Sequence, residues 1–149
     1  MSEPSPASAA FPLYSEITVR FRDMDALGHV NNAVYFTYME VARTDYLHDL
    51  LPRREPLDLP IILGDIYCRF ISPAYFGETL RVGVGISRFG NKSFDFVYQI
   101  DGGDGRLVAR GHSTMVMYDY DKQQTIPVPP DFREKVLAFQ GDWQPPSFD

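Results

Sequence analysis

The feature that most constrains this chain is a run over residues 32–50 whose apolar side chains would cover most of a helix. Tyr35, Tyr38, Met39, Ala42, Tyr46 and Leu50 recur at the three-and-four spacing of one helical face, and Val34, Val41 and Leu47 widen that stripe. A helix so apolar is expected to be wrapped by the rest of the chain. At 1.5 Å per residue it would span roughly 28 Å, the width of a small domain and close to that of a bilayer core. Glu40, Arg43, Thr44, Asp45 and His48 within it argue against a membrane. Asn31 or Asn32 supplies an N-cap, so the helix should start near Asn32.

The segments around this helix read as strands. Over residues 15–22, Ile17, Val19 and Phe21 alternate with Glu16, Thr18, Arg20 and Arg22. After the polar, proline-bounded Pro52-Arg53-Arg54-Glu55-Pro56, residues 59–71 form a long strand with a bend near Gly64, closed by Ser72-Pro73. Residues 79–87 and 92–101 alternate, with Leu80, Val82, Val84 and Ile86 and then Phe94, Phe96, Tyr98 and Ile100 facing one core. Gly102-Gly103-Asp104-Gly105 is a hairpin signal, residues 106–120 a further strand, and residues 131–139 a short helix. One strand, a long helix and four strands in series favour an α+β domain with an antiparallel sheet packed on the helix. Residues 1–13 read as a flexible leader, 14–140 as a single domain and 141–149 as a Pro-rich tail holding Trp143.

With 149 residues, 44% of them hydrophobic, the chain can build one core. A net charge of −6 weighs against a nucleic-acid surface. The lone Cys68 cannot form an internal disulfide, and no N-terminal segment has the build of a signal peptide, so a cytoplasmic protein with a buried Cys68 is expected.

Between the first strand and the helix lies the densest motif: Asp23-Met24-Asp25, then Gly28-His29-Val30-Asn31-Asn32, then Tyr35, Tyr38, Glu40, Ala42 and Arg43. It resembles the hotdog-fold acyl-CoA thioesterases of the 4-hydroxybenzoyl-CoA thioesterase-like family. The resemblance implies a curled antiparallel β-sheet wrapped around a long central α-helix, and a homodimer or homotetramer whose sites draw on both subunits. It implies hydrolysis of an acyl-CoA thioester with no metal or redox cofactor; an acyl carrier protein presents the same phosphopantetheine arm and is the alternative source of substrate. Carried over by position, Asp25 is the catalytic carboxylate, as nucleophile or general base, and the N–H of Asn32 polarises the carbonyl.

The residues themselves are compatible with that chemistry. Thioester hydrolysis needs a nucleophile or base and a donor for the developing oxyanion, and a helix N-terminus offers such donors at the positive end of its dipole. Asp also favours turns in its own right, and Asp23 is expected to be structural. His29 is a further catalytic candidate, as base or orienting group. Glu40 lies about 12 Å along the helix from Asn32, too far to share a carbonyl, and a pair with Arg43 suits it better. Tyr35 is a candidate for the acyl pocket. Arg88, Asn91, Lys92 and Ser93, in the turn that the resemblance links to coenzyme A phosphates, are candidates for that contact. His48 and His112 have no partners at metal-ligand spacing. The competing functions are a hotdog dehydratase or hydratase, and a non-catalytic acyl-ligand binding module.

Overall fold

The computed structural model describes residues 11–51 and 60–147; the leader up to residue 10 and the loop Pro52-Arg53-Arg54-Glu55-Pro56 lie outside them. Strand β1 (Leu13–Thr18) passes through a 3-10 turn (Phe21–Asp23) to helix α1 (Val34–Leu50). Strands β2 (Ile61–Phe70), β3 (Thr79–Phe89), β4 (Ser93–Asp101) and β5 (Leu107–Asp119) follow, then the short β6 (Gln124–Thr125) and helix α2 (Pro130–Gln140). Every pairing is antiparallel, in the order β1-β3-β4-β5-β2 with β6 on β5. The bend anticipated near Gly64 is a register shift between Leu63 and Asp65.

The sheet curls around α1, as the resemblance implies. Tyr38, Met39, Ala42 and Tyr46 pack in one core with Leu80, Val82, Val84 and Ile86 of β3 and with Phe94, Phe96, Tyr98 and Ile100 of β4. Burying side chains of this size contributes about 1.5–3 kcal/mol each. Helix and sheet approach so closely that a Cβ added at Gly111 would lie 2.5 Å from Met39 Cε.

The wrapping is one-sided. Thr37, Val41, Thr44 and His48 form a contiguous exposed face, on which Val41 is 39% accessible. The sequence stripe that included Val41 is therefore wider than the buried one.

Two boundaries also differ from the sequence pattern. The first strand ends at Thr18, because the Val19 N–H donates to Glu78 O at 2.8 Å and the chain then turns, leaving Phe21 80% exposed. Helix α1 starts at Val34, two residues beyond Asn32. Asn31 closes a turn first: its Oδ1 accepts the Ala33 N–H and its carbonyl the Val34 N–H, both at 2.9 Å.

Beyond the Leu13–Val84 pair, β1 no longer covers the edge of β3. Gln140, the last residue of α2, fills that place. Its Oε1 accepts the Ile86 N–H at 2.7 Å, its Nε2 donates to Ile86 O at 3.0 Å, and the Tyr46 hydroxyl donates to the same Oε1 at 2.7 Å. No helix among the described residues is long and apolar enough to cross a membrane.

Candidate active site

The loop at the head of α1 is closed by its own backbone. Met24 and Val30 bridge, the Asp25 N–H donates to His29 O, and the Gly28 N–H donates to Asp25 O, both at 3.1 Å. Gly28 sits at φ +88°, where any side chain would be strained. The Leu27 N–H donates to Asp25 Oδ1 at 2.9 Å, so the loop turns and holds the carboxylate that begins it. Oδ2 of Asp25 bonds to none of the described residues.

Asp23, two residues earlier, is saturated. It is 2% exposed, and accepts from the Arg20 N–H at 3.0 Å, from the Arg20 guanidinium at 2.9 Å and from the Tyr38 hydroxyl at 2.8 Å. Burial pushes its carboxyl up, but the Arg20 side chain and amide and the Tyr38 hydroxyl together hold it below the usual range. Burial, with the Asp23 hydrogen bond, drives the Tyr38 phenol well up in turn.

The Asn31 N–H donates to Asp23 O at 2.9 Å, and the Ala33 and Val34 N–H groups go to Asn31. The Asn32 N–H between them donates to none of the described residues. It is an open donor just before α1, on the positive side of the helix dipole.

His29 is half-buried, with Nδ1 3.3 Å from Val30 O. Tyr35, in the first turn of α1, is buried edge-on against Tyr38 and Phe70, with centroids 6.0 and 5.2 Å away. Burial raises its phenol, opposed by the Ala74 peptide. Glu40 is exposed and pairs with Arg43 at 3.5 Å. Cys68 is half-buried, and burial pushes its thiol up to about 11. Among the described residues no three His, Cys, Asp or Glu side chains converge in a way that could hold a metal ion.

Arg88, Asn91, Lys92 and Ser93 are not brought to this loop. They sit at the far end of β3, whose 11 residues separate Thr79, beside the loop, from Phe89 by roughly 30 Å. There Arg88 pairs with Asp95 at 3.1 Å, Lys92 Nζ lies 3.3 Å from Thr125 Oγ1, Ser93 O accepts the Gly90 N–H at 2.7 Å, and Asn91 O accepts the Val128 N–H at 2.9 Å.

Sequence reasoning missed what grips the loop from outside. The segment between β2 and β3 holds it twice: Ala74 O accepts the Val30 N–H at 2.9 Å, and Gly77 and Glu78 exchange backbone hydrogen bonds with Val19 at 3.0 and 2.8 Å. Neither Ala74 nor Glu78 lies in a motif or a periodic run that would have pointed to this.

A sheet curled about one central helix, with the Asp25 loop at the helix head, places this protein in the hotdog class of thioester hydrolases. Residues 19–136 match the family model of the thioesterase-like superfamily, and the chain belongs to that superfamily. It is similar to a thioesterase of Thermus thermophilus solved in complex with coenzyme A and zinc. The two share 30% identity and a TM-score of 0.81, over 89% of this chain and 96% of that one. It is 26% identical over 128 residues to the long-chain acyl-CoA thioesterase FadM of Escherichia coli (strain K12), covering 83% of this chain and 96% of that protein. The 1,4-dihydroxy-2-naphthoyl-CoA hydrolase of Thermosynechococcus vestitus is 28% identical over 116 residues, covering 75% and 80% respectively.

Proposed function

We propose that this protein hydrolyses acyl-CoA thioesters to the free acid and coenzyme A, using Asp25 and the Asn32 N–H. The observation that carries this reading is that one loop at the head of α1 holds both an Asp25 carboxylate anchored through Oδ1 alone and an unclaimed Asn32 peptide donor. The thioester carbonyl oxygen would accept from the Asn32 N–H, which stabilises the oxyanion as it forms. Asp25 Oδ2 would attack the carbonyl carbon, expelling coenzyme A as the thiolate and leaving a mixed anhydride that water then hydrolyses to the free acid, or it would take a proton from a water whose attack expels the thiolate directly. His29 buttresses the loop through the Val30 carbonyl, and Tyr35 lines the acyl side.

The site would be completed by a second copy of the chain. The turn bearing Arg88 and Lys92 lies at the other end of β3 from the loop that carries Asp25 of its own chain, roughly 30 Å along the strand. Strand β2 is an edge with Ile62, Leu63, Tyr67 and Phe70 all more than 40% exposed. Pairing two β2 edges about a two-fold axis reverses one sheet relative to the other, bringing the turn of one copy to the end that carries Asp25 of the other. A homodimer, alone or within a tetramer, is the assembly this supports. The lone Cys68 suits a reducing compartment such as the cytoplasm. Coenzyme A and acyl carrier protein thioesters present the same pantetheine arm, and the Arg88 and Lys92 cations favour the former.

Asp25→Asn tests the catalytic assignment. The amide keeps the shape but is neither basic nor an effective nucleophile, so kcat on the best acyl-CoA should fall about 10²-fold or more with the fold intact. Near-normal turnover by thiol release would overturn it.

A further inference from the structure

We infer that Arg106 is a positioning residue for hydrolysis: its fork clasps both ends of the segment over residues 73–78, and that segment grips the loop bearing Asp25 and Asn32. This rests on the roles of Asp25 and Asn32 proposed above.

Arg106 follows the Gly102–Gly105 hairpin. Its Nη1 bonds Glu78 Oε2 and its Nη2 donates to Glu78 Oε1 at 2.8 Å, a two-pronged pair, while Nη2 also donates to Pro73 O at 2.7 Å. Asp104 Oδ1 steadies the guanidinium at 2.9 Å. The side chains are 29% and 14% exposed, so water screens the pair only in part. Gly102 leaves the room they need, because a Cβ there would lie 2.5 Å from Arg106 Nη1 and 2.7 Å from Glu78 Oε2.

The clasped segment reaches the loop from both sides. At its first end Pro73, fixed by Arg106, precedes Ala74, whose carbonyl takes the Val30 N–H. At its second end Glu78 takes the Val19 N–H on its carbonyl, and its side chain holds the Tyr75 N–H at 3.2 Å. Val19 and Val30 flank Asp25, and Val30 is two residues from Asn32. Freed from Arg106, the Ala74 and Glu78 carbonyls can drift apart, and the carboxylate and the peptide donor drift with them. Misplacing reacting groups by about 1 Å can cost on the order of 10²-fold in rate. On the assignment above the phosphates are bound at the turn of Arg88 and Lys92, away from this segment, so binding of the analogue should be largely spared.

The test compares Arg106→Met, Arg106→Lys and Glu78→Gln with wild type, reading kcat on an acyl-CoA and the Kd of its non-hydrolysable thioether analogue. Arg106→Met and Glu78→Gln should lower kcat about tenfold or more while the thioether Kd stays within about twofold. Amide exchange at Val30 should quicken in both. Arg106→Lys, which keeps the charge without the planar fork, should fall between. A folded Arg106→Met with kcat within about twofold of wild type would overturn the inference, as would a kcat loss matched by an equal loss of thioether binding. If Arg106→Met does not fold, Glu78→Gln decides by the same criteria, since it keeps the side chain's size and one acceptor. Asp25→Asn separates the two failures. Should it keep turnover, the catalytic assignment falls; should it abolish turnover while Arg106→Met does not slow it, the clasp falls alone.

Discussion

Two carboxylates stand two residues apart at the head of α1, and their surroundings give them opposite work. Asp23 has its acceptor capacity filled by Arg20 and Tyr38, whereas Asp25 is held through one oxygen with the other left open. Removing the Asp23 carboxylate leaves the buried Tyr38 hydroxyl without its acceptor, so Asp23→Ala should cost about 1–3 kcal/mol in urea unfolding. Its pH dependence has a definite sign. A carboxyl whose folded pKa is depressed contributes stability that is present above its unfolded value, near 3.8, and is lost as pH falls through the lower folded value. The stability gap between wild type and Asp23→Asn should therefore be full at neutral pH and close on acidification below about pH 4. A gap unchanged down to about pH 2 would contradict this. Glu78, held below the usual carboxylate range chiefly by Arg106, shares the sign. The Asp-x-Asp spacing alone does not say which carboxylate is saturated, because one deciding partner, Tyr38, arrives 15 residues later on α1.

At the scale of elements, Gln140 shows how one side chain replaces a strand. Its amide takes both the donor and the acceptor of Ile86 where β1 has ended, and also accepts from the Tyr46 hydroxyl, whose pKa burial drives well up. Gln140→Ala should expose or orphan these groups, destabilising by about 1–3 kcal/mol in denaturant titration, with little effect on the kcat of folded protein. The alternating runs that became β3 and β4 were legible because each strand has one face on the core, which imposes period two on residues such as Leu80, Val82, Val84 and Ile86. Val41 misled because hydrophobicity records what a helix tolerates in its interior, whereas burial depends on how far the sheet reaches around it. The motif residues around Asp25 were legible through local spacing, since the loop closes on itself. Their supports were not: Glu78 and Arg106 meet across 28 residues, and a contact between two loops leaves no period in either.

At the scale of the whole molecule, the proposed chemistry and the proposed phosphate contact lie at opposite ends of one sheet, and the proposed pairing of two copies would join them. Removing the turn's cations should raise KM for acyl-CoA more than it lowers kcat, because the phosphates are remote from the reacting carbonyl and are held about equally in ground and transition states. That effect alone does not say whose turn serves whose carboxylate. Mixing two defective proteins does. Asp25→Asn carries an intact turn with a dead carboxylate, and Arg88→Ala/Lys92→Ala carries the reverse. If each site takes Asp25 from one copy and the turn from its partner, a mixed dimer holds one site intact in both parts and one defective in both. Random reassortment makes half the dimers mixed, so an equimolar mixture, dissociated and reassembled, should recover about a quarter of wild-type sites. Assayed at low acyl-CoA, where both parents are slow, that recovery should stand clear of their average. If turn and carboxylate instead belonged to one chain, no mixed dimer would contain an intact site, and the mixture would turn over at the mean of the two parents.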